Sequence, residues 1–478
     1  MIMWLKIYYI FSYIIFFYSL TIMASYLWLV IQSCRAQKKA AVDIPDDMSI
    51  KYLLQASPLT PAVSIIAPAY NEEVTIIDNV YSLMQIDYPN YEIIVVNDES
   101  TDRTMELLIN EFSLVEIPYD VAMRVPCKPI KRVLKSIEDR FSNLVVVDKE
   151  HGGRKSDGSN AGINVCSNKY FVCTDVDCIV EPMALYRMMW LVVNSHVPMI
   201  GVSATMLMSN GCVVEDGRVA VANVPNSPLP MFQQLEYMRS FLIGKLGWST
   251  INALPNISGG FGLFDTDVVV KSGGYDSNSM AEDVDLLLRM VTYMKNNGMD
   301  FRLAQVPQVC CWTEGPTTLR ALFRQRVRWA RGLFEIVSNH RKVFFNPHYG
   351  PIGAFTLPYI FTFEFIAPVL ELTGFLFMIW LTLTGGVNWD TAFIIFGMIY
   401  LFTVLMAFFV IYFDYSIKAV PWHNTTRSYL KLLLAALFEP FLYHPFITYF
   451  SNVGYWRFIA NTRAVWQPIK RRGVRKKA

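Results

Sequence analysis

Charged residues are scarce in this chain: Asp, Glu, Lys and Arg make up 17% of its 478 residues, while apolar residues reach 53%. That balance is greasy for a soluble protein, and the length suffices for more than one domain. Net charge is only +2 and no basic stripe carries interleaved aromatics, which argues against a nucleic-acid partner. The eight cysteines (34, 127, 166, 173, 178, 212, 310 and 311) lack the paired short spacings of a zinc site. They fall mostly in a segment assigned to the reducing side of a membrane and read as small buried hydrophobes. Six histidines show no metal spacing, and no internal repeat or low-complexity tract is present.

The deficit of charge is local. Ile7 to Ile31 contains no Asp, Glu, Lys or Arg, and at 1.5 Å per residue it makes a helix of roughly 37 Å, enough to span a bilayer with some tilt. A secretory signal would be shorter and end in small residues. Arg35, Lys38 and Lys39 follow directly, so the positive-inside bias puts the N-terminus outside and the next segment in the cytoplasm. Ile352–Leu383, apolar except for Glu364 and Glu371, and Ala392–Phe413 are further candidate spans. Tyr429–Phe450 is broken by Glu439-Pro440 and His444-Pro445. A full crossing there would put the basic tail (Lys470, Arg471, Arg472, Arg475, Lys476, Lys477) outside, so a re-entrant or interfacial hairpin returning to the cytoplasm is expected, with the tail against anionic headgroups. The expected location is a plasma (inner) membrane, multi-pass, with the globular domain cytoplasmic.

Between these spans the pattern alternates. Val63–Ala67, Glu92–Asp98, Asn143–Asp148 and Tyr170–Thr174 read as buried strands; Val74–Met84, Thr101–Phe112 and Asp157–Ser167 carry helical spacing. Such alternation implies an α/β domain with a parallel sheet, whose ligands bind beyond the carboxyl ends of the strands. The expected organisation is an N-terminal transmembrane helix (1–34), a linker (35–61), the α/β domain (62–314), amphipathic interface helices (315–350), a C-terminal transmembrane region (351–450) and a basic cytoplasmic tail (451–478).

Asp98 and the pair Asp175/Asp177 stand at such strand ends, where hard carboxylate oxygens suit Mg²⁺ or Mn²⁺ with a phosphate ligand. Glu282-Asp283 can supply a base. Gln325-Arg326-Val327-Arg328-Trp329, on a basic amphipathic stretch from Thr318 to Lys342, offers a phosphate clamp and a flat apolar face for a sugar. Each element alone has a plainer explanation: aspartates capping turns, an acidic first turn of a helix, arginines facing lipid phosphate. Glu364 and Glu371 either line a path for a polar polymer or pair with neighbours. Their order along one chain favours chemistry.

These runs, with Pro68-Ala69-Tyr70-Asn71-Glu72 closing the first strand, resemble family 2 glycosyltransferases of the processive membrane type, similar to cellulose, chitin, hyaluronan and poly-N-acetylglucosamine synthases. The resemblance implies a GT-A-type domain and an inverting, metal-dependent transferase that extends a β-linked polysaccharide from a UDP-sugar of glucose or N-acetylglucosamine type and exports it. It assigns Tyr70, Glu72 and Asp98 to the nucleoside, and Lys155 and Asn160 to the donor phosphate and sugar. Asp175 falls to ribose or diphosphate and metal, and Asp177 to the metal. Ser258, Gly259 and Gly260 shape the acceptor site. Asp283, beside Glu282, is the general base, and Gln325, Arg328 and Trp329 cradle pyrophosphate and terminal acceptor sugar. The implied partners are the UDP-sugar, the growing polysaccharide, the lipid bilayer and an accessory export or regulatory subunit. The chain departs from the pattern at Asn97, where the family often has a second aspartate, at Glu99, where it has glycine, and at Ala281, where Thr is common. No C-terminal domain that senses a cyclic dinucleotide is expected. The rival readings are transfer of a single sugar to a lipid carrier or glycolipid, and a non-catalytic export or partner subunit.

Overall fold

The computed structural model describes residues 2–461 apart from 177, 216, 418–421 and 424. Twelve strands are described: β1 (Val63–Ala69), β2 (Tyr91–Asn97), β3 (Leu114–Ile117), β4 (Ile130–Ser136), β5 (Leu144–Lys149), β6 (Tyr170–Thr174), β7 (Ile179–Val180), β8 (Met199–Met208), β9 (Val213–Glu215), β10 (Arg218–Val221), β11 (Phe261–Asp265) and β12 (Arg302–Thr313). Ten of them form one mixed sheet in the order β3-β4-β5-β2-β1-β6-β11-β8-β12-β7. Its centre, β5-β2-β1-β6, is parallel. Each of these strands is a run of branched apolar residues because both faces are covered. Ile66, Ile94, Val96 and Val147 pack on one side, and Ile65, Ala67, Ile93, Val95 and Val146 on the other, as a period of two requires.

One reversal in the sheet positions the site. Strand β11 runs antiparallel to β6, pairing Phe261 with Thr174, so the residues that precede β11 lie beside those that follow β6. Ser258-Gly259-Gly260 therefore sits next to Asp175, with the Asp175 amide donating to the Gly260 carbonyl at 3.2 Å. Strand β12 runs parallel to β8, which is itself antiparallel to β11. It thus ends at the same edge and delivers there the amphipathic helix Leu319–Asn339, capped by Thr318.

Three helices among the described residues are long and apolar enough to cross a membrane: Ser12–Asp43, Ile352–Leu383 and Trp389–Ile417. Where a re-entrant or interfacial hairpin is expected, near Tyr429–Phe450, helices Thr425–Leu442 and His444–Ile459 meet at a bend of 48°, the geometry of either a broken span or a re-entrant loop. Contacts with the α/β domain and the interface helix hold them: Lys431 donates to Asn226, Glu439 pairs with Arg239, the Tyr443 hydroxyl donates to Glu236, and Gly454 packs on Ala330. A Cβ at Gly454 would meet Ala330 Cβ at 2.7 Å and the Val327 carbonyl oxygen at 2.8 Å, so the two helix backbones touch only because that side chain is missing. The basic tail from Lys470 lies outside the described residues.

Candidate active site

The carboxyl ends of β1, β2, β5 and β6 open onto one cavity of about 2370 Å³. Tyr70, Glu72, Asp98, His151 and Asp175, each just beyond one of those ends, line it. Lys155, Ser258, Gly259, Gly260, Glu282, Asp283, Gln325, Arg328 and Trp329 line the same space. Residues spread over more than 250 positions of chain thus converge on one volume. Asp177 lies outside the described residues. Asn160 does not reach the cavity: its Nδ2 donates to the carbonyls of Pro126 and Tyr275 and its Oδ1 accepts from the Tyr275 amide, each at 2.8 Å. With no exposed surface and its amide hydrogen-bonded on both ends, Asn160 braces the loop behind the site and is not among the cavity-lining residues.

At the β2 end the charges are paired. Lys149, with no exposed side chain, places Nζ 2.5 Å from Asp98 Oδ1 and 2.6 Å from Asp157 Oδ1. The Gly152 amide donates to Asp98 Oδ1 at 2.9 Å, and His151 Nδ1 lies 3.0 Å from Oδ2. The His151 ring stacks on Tyr70 with centroids 4.5 Å apart. Asn97 donates from Nδ2 to Asp148 Oδ1 at 2.8 Å, and Asp148 also pairs with Arg132 at 2.9 Å. An aspartate at 97 would set two buried carboxylates against each other, which explains why this chain carries the amide. Glu99 adopts φ 56°, the left-handed region where glycine costs least. Its carboxylate is tied to Lys131 and accepts from the His151 amide at 2.9 Å; those bonds, Lys131 foremost, hold its pKa below the usual range.

Towards β6, Lys155 links the acidic strand end to the glycine turn, with Nζ 2.6 Å from Asp175 Oδ1 and donating to the Gly259 carbonyl at 2.5 Å. Burial is the largest single influence and opposes its charge, but Asp175 together with the other acidic neighbours, Cys173 and Glu282, outweighs it and raises the Lys155 pKa above its usual range. A Cβ at Gly260 would lie 2.4 Å from Met206 Cε, so any side chain there would require that methionine to move aside. Asp283, in the first turn of helix Glu282–Asn296, accepts from Asn256 Nδ2 at 3.2 Å and from the Val284 amide at 2.9 Å. Burial, then the charge of Asp283, pushes Glu282 up, while Arg328 and Lys155 pull it down.

On the interface helix, Gln325 accepts from Gln233 Nε2 at 2.9 Å. Arg328 faces the cavity; Arg326 is buried, pairing with Glu236 at 2.5 and 2.6 Å, donating to the Tyr443 hydroxyl at 2.8 Å and lying 4.4 Å from the Trp329 ring centre. Sequence reasoning passed over Arg326, although Leu322, Arg326 and Ala330 share one apolar stripe at intervals of four, where an arginine must be paired. It passed over Lys149 and His151 at the β5 end, and also Lys245. This last residue is a lone cation in Phe241–Trp248 that lines the cavity at 4% exposure. Its Nζ is 4.4 Å from the Phe241 ring centre and 3.5 Å from Ser203 Oγ. Burial drives its pKa down to about 8, with Asp283 pulling the other way.

The cavity continues among the apolar helices, where Tyr26, Tyr359, Phe363, Glu364, Glu371, His444 and Thr448 line it. Glu371 accepts from Thr448 at 2.5 Å and lies 3.1 Å from His444. For Glu371, lining and pairing hold together.

A family model described as glycosyltransferase like family 2 matches residues 61–332. A poly-beta-1,6-N-acetyl-D-glucosamine synthase of Staphylococcus epidermidis is 26% identical over 275 residues, 58% of this chain and 55% of that protein. A probable glycosyltransferase of Bacillus subtilis is 28% identical over 292 residues, 60% of this chain and 58% of that one. The match therefore spans little more than half the length of these curated relatives. Among solved structures, a mannosyltransferase of Pyrobaculum calidifontis in complex with GDP-mannose and Mn²⁺ is similar at a TM-score of 0.48 and 15% identity, covering 91% of this chain and 100% of that one.

Proposed function

The chain belongs to glycosyltransferase family 2, and from that premise we propose that it is an inverting membrane glycosyltransferase that builds a β-linked polysaccharide from a UDP-activated glucose or N-acetylglucosamine and passes it outward. The observation that carries this reading is the continuity of one cavity from Tyr70 and Asp98, past Asp283, to Glu364 and Glu371 among the apolar helices.

Inverting transfer is one in-line displacement at the anomeric carbon. Asp283 takes the proton of the acceptor hydroxyl; its two hydrogen bonds, from Asn256 and Val284, fix the carboxylate for that task. Trp329, 36% exposed, gives the terminal acceptor sugar a flat face. Arg328 stabilises the departing diphosphate, and Lys155 holds Asp175 and the Gly259 turn at a set distance. Tyr70, Glu72 and Asp98 hold the nucleoside. Asp175, exposed to the cavity, and Asp177 two residues on offer the hard oxygens that Mg²⁺ or Mn²⁺ prefers, with substrate phosphates completing the shell. Such an ion supplies positive charge to the leaving diphosphate when bound.

The test is a panel of labelled nucleotide sugars with Mg²⁺ or Mn²⁺ on the full chain in lipid, scoring nucleotide release and product size for the native protein and Asp283→Asn. A long product from one donor, lost in Asp283→Asn, is expected. A single-sugar lipid product would replace the polymerase reading with transfer to a lipid carrier, and no turnover with any donor would favour a non-catalytic export or partner role.

A further inference from the structure

The interface helix Leu319–Asn339 carries five arginines, and among the described residues only Arg326 makes an ion pair with a carboxylate, while Arg328 acts on Glu282 from a longer range. The other four, Arg320, Arg324, Arg328 and Arg331, follow at intervals of four, four and three residues, so the helical repeat puts them on one face. All four line the cavity. The first turn of the helix has no acidic residue; its own carboxylate, Glu335, lies four residues beyond Arg331 and accepts from the Met280 amide at 3.2 Å, and Glu314 lies on the cavity-lining segment that leads into the helix. Cations four residues apart repel, and Arg320 stands near the positive end of the helix dipole. Without an anion this wall is electrostatically uphill, whereas Arg326, two residues from Arg328 but on the opposite face, has its countercharge built in.

Arg328 is close enough to the transfer centre to lower the pKa of Glu282 against burial. Arg324 and Arg320 lie one and two turns farther out, roughly 6 and 12 Å along the helix axis. We propose that Arg320 and Arg324 form a second phosphate-binding position on the cavity wall, separate from the contact Arg328 makes with the donor diphosphate. Their planar guanidinium forks match phosphate oxygens in pairs. The phosphate comes either from a nucleotide moving to or from the transfer centre or from the headgroup of an anionic lipid. Only the separation from Arg328 rests on the transferase reading; the binding position itself does not.

The test titrates inorganic pyrophosphate calorimetrically into the full chain in nanodiscs of zwitterionic lipid. Two binding events are expected in the native protein. The double variant Arg320→Gln/Arg324→Gln should weaken one by about tenfold or more, and Arg328→Gln the other. A single event in the native protein, or two events unchanged in the double variant, would overturn the proposal. If the double variant loses its event but Arg328→Gln changes neither, the second position stands and the donor role of Arg328 falls. Repeating the native titration in phosphatidylglycerol nanodiscs identifies the source. Loss of the Arg320/Arg324 event there assigns the position to a lipid headgroup, and its persistence assigns it to a soluble phosphate.

Discussion

The two walls of the cavity handle charge in opposite ways. At the sheet edge two lysines have their partners before substrate arrives: Lys149 lies between Asp98 and Asp157, and Lys155 is bound to Asp175. On the interface helix, Arg320, Arg324, Arg328 and Arg331 make no ion pair among the described residues. The paired wall is built to hold its shape, since a buried charge is costly once its partner is removed. The open wall is built to receive anions. On the proposed function, the preorganised groups would align nucleoside and base, and the uncommitted ones would meet phosphate as it arrives and leaves.

Substitutions can break or sharpen this contrast. The largest effect is expected for Asp283→Asn, which keeps the volume but removes the base: transfer should fall by about 10²–10⁴-fold in kcat with little change in donor KM, read from nucleotide release. On the paired wall, Lys149→Met leaves Asp98 and Asp157 facing each other inside the protein. It should cost about 3–5 kcal/mol in chemical unfolding, and a loss below about 1 kcal/mol would show that the wall is not held by this lysine.

Lys245 is a cation of the paired side that lacks a carboxylate partner, and it sharpens the comparison through pH. The folded chain releases its proton near pH 8, whereas an unfolded lysine keeps it to 10.5. Between those values the unfolded state binds more protons, so this residue makes stability rise as pH increases from about 8 to 10.5. Lys245→Met should remove that rise and stabilise the protein at pH 7 by about 3 kcal/mol, both read from unfolding across pH. Glu99→Gly relieves a left-handed backbone and forfeits two exposed hydrogen bonds, so the opposing effects should leave the unfolding midpoint nearly unchanged. Smallest of all, Arg324→Gln on the open wall should shift stability by no more than about 0.5 kcal/mol, because no countercharge is lost.

Much of the α/β half was legible because its signals are local. Apolar runs ending in Asn-Asp or Thr-Asp marked the parallel strands β2 and β6 and their ligand-binding edge, and the structure brings Asp98 and Asp175 to one cavity. What the sequence could not carry was the reversal of β11, a matter of pairing partners rather than of composition, though it is what brings Ser258–Gly260 beside Asp175. Sequence does not separate Asn160, which braces a loop, from residues that line the cavity, because both share the same polar chemistry. Arg326 and Arg328 share one motif and both line the cavity, and only helix phase separates the one that pairs with Glu236 from the one that makes no ion pair among the described residues. The bend between Thr425–Leu442 and His444–Ile459 depended on contacts with Asn226, Arg239 and Glu236, up to about 200 residues away in the chain.

The central claim is that one cavity joins a sugar-transfer centre to a path between apolar helices. It is tested most directly in sealed proteoliposomes that carry the full chain and are supplied with the active nucleotide sugar and divalent cation only from outside. A glycosidase specific for the product is then added externally, with and without detergent. The account predicts a long polymer that accumulates inside and is digested only after detergent. A polymer digested equally well in intact vesicles, or a product of one sugar residue, would contradict it.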